Sequence, residues 1–100
     1  MYLVRDIMYC KPGKVKPMIE KYRAMAKLSE QAGQGKMRVL TDFVGEQYWT
    51  IVSEMEVESI DKFMSMDGMD PELMKQFEAL MKDYHELVLR GRREIFKIET

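Results

Sequence analysis

The sequence predicts an α+β domain of β-α-β-β-α-β order, and three observations carry that prediction. Strand-like runs open and close the chain, two helical stripes lie between them, and a pair of short strands separates the helices. The 100 residues are 46% hydrophobic and 33% charged, a composition that suits one soluble globular domain spanning residues 1–100.

Residues 2–10 mix β-branched, aromatic and long apolar side chains (Tyr2, Leu3, Val4, Ile7, Met8, Tyr9) and then meet Lys11-Pro12-Gly13. Such a run stopped by Pro-Gly reads as a strand. From Val15 the spacing of Met18, Ile19, Tyr22, Met25, Ala26 and Ser29 is helical. Pro17 sits near the first turn, where a missing N–H does least harm. Gly33 and Gly35 end the helix, because glycine takes the left-handed cap conformation cheaply.

Residues 36–44 and 47–55 read as two strands joined around Gly45-Glu46, so an antiparallel hairpin is expected. A short helix is expected from Ser59 to Met66, capped by Ser59 and broken by Asp67-Gly68. Asp70-Pro71-Glu72 then signals a strong helix start: a capping carboxylate, a proline at the first position and an acid at the positive end of the dipole. Leu73, Phe77, Leu80, Met81, Tyr84 and Val88 form the apolar stripe of that helix. Arg90-Gly91 breaks the pattern, and Arg92 to Ile98 alternates as the last strand.

This order is the ferredoxin-like arrangement, an antiparallel sheet with helices on one face. Some of Val4, Met8, Val39, Phe43, Trp49, Ile51, Ile95 and Ile98 are then expected on the uncovered face. Both alternating sets of the strands hold large apolar residues, so that face also requires cover. A second copy of the chain is the simplest cover, and a homodimer with facing sheets is expected.

Charge narrows the function classes. Sixteen basic and seventeen acidic residues give a formal net charge of −1, against the basic excess of a polyanion binder. Residues 1–40 hold nine basic and three acidic side chains, residues 41–89 three and twelve, and residues 90–100 four and two. That segregation suits pairing within the fold or across a dimer. RNA-recognition modules share the same element order, but Gly45-Glu46-Gln47-Tyr48-Trp49 lacks their glycine-aromatic pattern, so nucleic acid is not expected as a partner. No apolar run approaches a membrane span. Residues 1–6 lack the pattern of a signal peptide, and a cytoplasmic location is expected.

Few residues offer chemistry. His85 is the only histidine; it is either a general base over a cavity mouth or a half-exposed side chain at a helix edge. A lone histidine and a lone cysteine supply no cluster for a transition metal, and neither a metal nor a cofactor is expected. Cys10 precedes Lys11 and Lys14, which would lower its thiol pKa slightly. Asp6 and Arg5 interrupt an apolar strand and point to opposite faces. Asp6 therefore needs a partner, for which Arg38, Arg92 or Arg93 is available; it is a structural ion pair or a polar anchor for a ligand.

Lys11-Pro12-Gly13-Lys14 after the first strand, Tyr48-Trp49-Thr50 in the third, and Gly91-Arg92-Arg93-Glu94-Ile95 leading into the fourth resemble the dimeric α/β-barrel families. NIPSNAP-like proteins are the better fit, antibiotic-biosynthesis monooxygenases the second. The resemblance implies a dimer whose sheets close into a barrel, with a small apolar cavity between sheet and helices in each subunit. Some related families oxygenate aromatic substrates there without a cofactor, or degrade haem, and share a first-strand Asn, a Trp and a His before the last helix. Here the first-strand position holds Asp6, and Met66 to Asp70 contain no histidine.

The expectation is a homodimer that binds a small, largely apolar molecule near Asp6, Trp49, Met66, Met69 and His85. A cofactor-independent monooxygenase-like enzyme, with Asp6 and His85 as candidate catalytic residues, and a non-catalytic structural or regulatory dimer are the competing readings. Eleven methionines are present, and Met64, Met66 and Met69 suit an adaptable lid or interface.

Overall fold

A computed structural model describes residues 1–65 and 70–100. Its elements are β1 (Tyr2–Cys10), α1 (Val15–Gln31), β2 (Met37–Thr41), β3 (Thr50–Val57), α2 (Ile60–Ser65), α3 (Pro71–Leu80), a single 3₁₀ turn (Tyr84–Glu86) and β4 (Val88–Lys97). The four strands form one antiparallel sheet in the order β2-β3-β1-β4. The expected ferredoxin-like fold is therefore present.

Helix ends follow the chemistry of their residues. Gly33 adopts φ 71°, and the Gln34 N–H donates to the Ser29 carbonyl at 3.0 Å to close α1. The Ser59 hydroxyl accepts from the Lys62 N–H at 3.3 Å at the start of α2. Asp70 Oδ1 accepts from the Glu72 N–H at 2.9 Å, with Pro71 as the first residue of α3.

The second long helix is shorter than its apolar stripe predicts. After Leu80 the chain tightens: Tyr84 N–H donates to Met81 O at 3.2 Å and Leu87 N–H to Tyr84 O at 2.9 Å. Met81, Tyr84 and Leu87, spaced by three, keep packing against the core through this tighter turn, since 3₁₀ geometry has three residues per turn. His85 thus lies on a 3₁₀ turn, and Val88 belongs to β4. Gly91 sits inside β4 opposite Met8, whose side chain occupies the place a Cβ would take. The glycine is there to admit a neighbour rather than to end an element.

The hairpin also departs from expectation. β2 ends at Thr41, and a loop from 42 to 49 precedes β3. Asp42 closes that loop: its carboxylate accepts from the Thr50 N–H at 2.8 Å, and its own N–H donates to the Thr50 carbonyl at 3.2 Å. Trp49 has φ 62°, a left-handed turn that sets Thr50 into the ladder. Trp49 therefore lies before β3 and not on it.

Register decides the faces. Val4 stands opposite Met55 and Ile95, and Met8 opposite Ile51 and Gly91. Met8, Ile51 and Val39 pack with Met18, Tyr22 and Cys10 beneath the helices. Met18 and Ile51 have no exposed surface, and burying each contributes roughly 1.5–3 kcal/mol. Val4, Met8, Val39, Ile51 and Ile95 are thus on the helix side, while Phe43 and Trp49 are in the loop. The uncovered face instead carries Leu3, Ile7, Leu40, Val52 and Phe96 around an ion cluster. In that cluster Arg5 Nε contacts Glu54 Oε2 at 2.7 Å, Arg38 also holds Glu54, and Arg5 lies 3.6 Å from Glu94.

Candidate functional site

Between the helix-facing side of the sheet and the helices lies a cavity of about 340 Å³. Val4, Asp6, Ser53, Met55, Met37 and Arg93 come from the sheet, and Tyr22, Met25 and Ser29 from α1. Phe63 comes from α2, Gln34 from the loop after α1, and Met74, Phe77, Glu78 and Met81 from α3 and its end. Five methionines thus contribute to the wall, giving it soft thioether surfaces that can repack around a ligand.

Asp6 and Arg93 face each other across the β1–β4 ladder. Arg93 Nε donates to Asp6 Oδ1 at 2.6 Å, and Nη2 donates to Oδ2 at 3.2 Å. Arg93 Nη1 lies 3.3 Å from the sulfur of Met64, and its guanidinium stands 5.3 Å from the centroid of the Phe63 ring. The hydrogen bonds to Asp6 outweigh burial and raise the Arg93 pKa, so the guanidinium stays charged. Of the three arginines open to Asp6 from the sequence, Arg93 is the partner.

Tyr22 is only 3% exposed and Ser29 4%, yet both line the cavity. Burial above all, reinforced by the negative charge of Asp6, pushes the Tyr22 phenol pKa well above its usual range. It is therefore neutral and able to donate a hydrogen bond. Among the described residues no buried side-chain polar atom lacks a hydrogen bond.

The expected site residues are only partly brought together. Asp6 lines the cavity. His85 lines a separate groove on β4 that shares Asp6 and Arg93 with the cavity, and its ring centroid stands 4.0 Å from that of Tyr84. Trp49 borders neither space. Met66 and Met69 lie outside the described residues, although Met64 reaches Arg93. Sequence reasoning missed Tyr22, Ser29 and Ser53 as site residues. The available signal was Ser29 inside the apolar stripe of α1, a polar group where a core needs none. Cys10 is buried, and burial together with Asp42 raises its thiol pKa, opposite to the effect expected of Lys11 and Lys14.

Among the described residues no group of three or more His, Cys, Asp or Glu could hold a metal ion. No helix among them is long and apolar enough to cross a membrane. A wall of thioethers and rings with one fixed ion pair and a few hydroxyls is suited to enclosing a mostly apolar molecule and orienting one polar group.

Comparison with known proteins places this geometry in a recognisable fold. A NIPSNAP family protein of Agrobacterium tumefaciens superposes with a TM-score of 0.78 at 13% identity, over 98% of this chain and 87% of that one. An uncharacterized NIPSNAP domain protein from Burkholderia xenovorans gives 0.76 at 12% identity, over 100% and 96%. A candidate antibiotic biosynthesis monooxygenase from Nitrosomonas europaea gives 0.76 at 11% identity, over 100% of both chains. No protein-family model matches the sequence, and no curated protein matches it. The fold is thus that of NIPSNAP-domain proteins and of the candidate monooxygenases, at identities that speak for the fold alone.

Proposed function

We propose that this protein binds a small, largely apolar molecule in the cavity between sheet and helices. The single observation that carries this reading is the cavity itself. Its volume falls in the range of roughly 300–1,000 Å³ found for ligand sites, and its mainly apolar wall carries a few polar groups. The Tyr22 hydroxyl and the Asp6–Arg93 pair supply orientation; the methionines supply fit.

Titration with the neutral fluorophore N-phenyl-1-naphthylamine tests it. The wild-type protein gives saturable fluorescence, and Ser53→Leu, which fills the cavity from β3, loses it while keeping its circular dichroism. Absence of saturable binding by the wild type overturns the reading.

The assembly that goes with this function is a homodimer through the uncovered sheet face. Leu3, Leu40, Val52 and Phe96 support it as an apolar surface, and the Arg5–Glu54–Arg38 cluster supports it as a mixed-charge surface able to meet its own copy. Sedimentation equilibrium should return about twice the 11.9 kDa chain mass; a monomer at micromolar concentration removes the dimer. The lone buried thiol of Cys10 accords with a reducing, cytoplasmic setting.

A further inference from the structure

The helix-facing side of the sheet carries one polar row across an apolar surface. Ser53 on β3, Asp6 on β1 and Arg93 on β4 are successive ladder partners, so their side chains leave the same face about 5 Å apart. The rows on either side are apolar: Met55, Val4 and Ile95 on one, Ile51, Met8 and Gly91 on the other. Tyr22 of α1 lies over the polar row, near enough for the charges of Asp6 and Arg93 to act on its phenol. We propose that the ligand is uncharged and that its polar head is a carbonyl oxygen, taken by the Tyr22 hydroxyl with Ser53 as the neighbouring donor. This rests on the cavity-binding reading above and adds the chemical class of the ligand.

Tyr22 is 3% exposed and Ser53 8%, and both line the cavity. Neither hydroxyl exchanges a hydrogen bond with another group among the described residues. No polar side-chain atom wholly shut off from open space lacks a partner there, so these two oxygens open onto the cavity. Each keeps an O–H for a ligand, and a carbonyl oxygen, with two lone pairs, can accept from both. The charged pair beside them is closed to an ion. Arg93 commits Nε and Nη2 to Asp6 and turns Nη1 to the Met64 sulfur. An anion would meet the Asp6 carboxylate and a cation the Arg93 guanidinium, and either would leave water without an uncommitted counter-charge. Glu78, the remaining charged group of the wall, is exposed and keeps its water. A neutral carbonyl loses far less hydration on entry and gains the hydrogen bond that Tyr22 does not make within the chain.

Displacement of N-phenyl-1-naphthylamine by butylbenzene, butyrophenone and 4-phenylbutanoate at neutral pH tests the assignment. The three probes are of similar size and carry no polar group, a carbonyl and a carboxylate in turn. Tyr22→Phe is expected to weaken butyrophenone about tenfold, the size of one good hydrogen bond, and to leave butylbenzene and the fluorophore unchanged. The wild type is expected to bind 4-phenylbutanoate about tenfold more weakly than butyrophenone. The infrared carbonyl band of butyrophenone bound to the wild type should lie below its position in hexane, and should return toward that position in Tyr22→Phe. No loss of butyrophenone in Tyr22→Phe, or an equal loss of butylbenzene, overturns Tyr22 as the donor, as does a carbonyl band at the hexane position in the wild type. Binding of 4-phenylbutanoate as tight as that of butyrophenone overturns the uncharged class. In each of these cases saturable binding of the fluorophore leaves the cavity reading standing. Failure of the wild type to bind the fluorophore and all three probes removes both.

Discussion

Asp6 and Arg93 are 87 positions apart in sequence and directly opposite across two hydrogen-bonded strands, joined by two side-chain hydrogen bonds. The pair forms the common wall of the apolar cavity and the groove that His85 lines beside β4. With side-chain exposures of 24% for Asp6 and 42% for Arg93, water recovers part of whatever is lost when either is removed. Asp6→Ala should therefore cost about 1–2 kcal/mol, and a double-mutant cycle with Arg93→Ala should return a coupling near 1 kcal/mol. Urea denaturation measures both; additive single effects would show that the pair contributes nothing to the fold.

Glu54 makes acid stability depend on the uncovered face. Burial pulls its pKa upward, but the hydrogen bonds and charges of Arg5 and Arg38 outweigh burial and hold it below the usual 4.5. A depressed carboxylate stabilises the fold fully above its unfolded pKa and loses that contribution as pH falls through the folded one. Glu54→Gln should thus be less stable by about 2 kcal/mol at neutral pH. The gap between variant and wild type should close only as pH drops below about 4.5. Stability profiles that stay parallel down to strongly acid pH would contradict this.

Gly91 is required by packing. A Cβ there would collide with the Met8 sulfur and come within 3.3 Å of the Ile7 carbonyl oxygen. The Met8 side chain can swing away, whereas the backbone oxygen cannot. Gly91→Ala should cost about 1–2 kcal/mol, and Met8→Ala in the same chain should recover part of it. A neutral Gly91→Ala in thermal denaturation rejects the close approach.

Cys10 should be unreactive in the native protein. It is 2% exposed, and its pKa is raised by burial and by Asp42, so little thiolate forms and reagent has little access. Ellman's reagent should label it only after unfolding, at the rate set by urea concentration. Rapid stoichiometric labelling of folded protein would place the thiol elsewhere.

Local signals carried far in this chain. Asp70-Pro71-Glu72 marked the start of α3, and Gly33 marked the end of α1, because caps are made by residues a few positions apart. Two local patterns misled. Met81, Tyr84 and Val88 satisfy a helical stripe and a 3₁₀ turn followed by a strand equally well. Gly45-Glu46 has the composition of a tight hairpin, but the Asp42 carboxylate ends the ladder earlier by binding Thr50.

By itself the sequence determined the element order, the fold class and the need of Asp6 for an arginine, since alternation, helical spacing and a charge in an apolar strand are properties of neighbouring residues. Only the tertiary structure chose Arg93 from three arginines, put Trp49 away from the cavity and His85 on its own groove, and turned Tyr22 and Ser29 into wall residues. Strand register and helix docking make those choices. They join residues far apart in the chain, and their outcome depends on which contacts bury the most surface together.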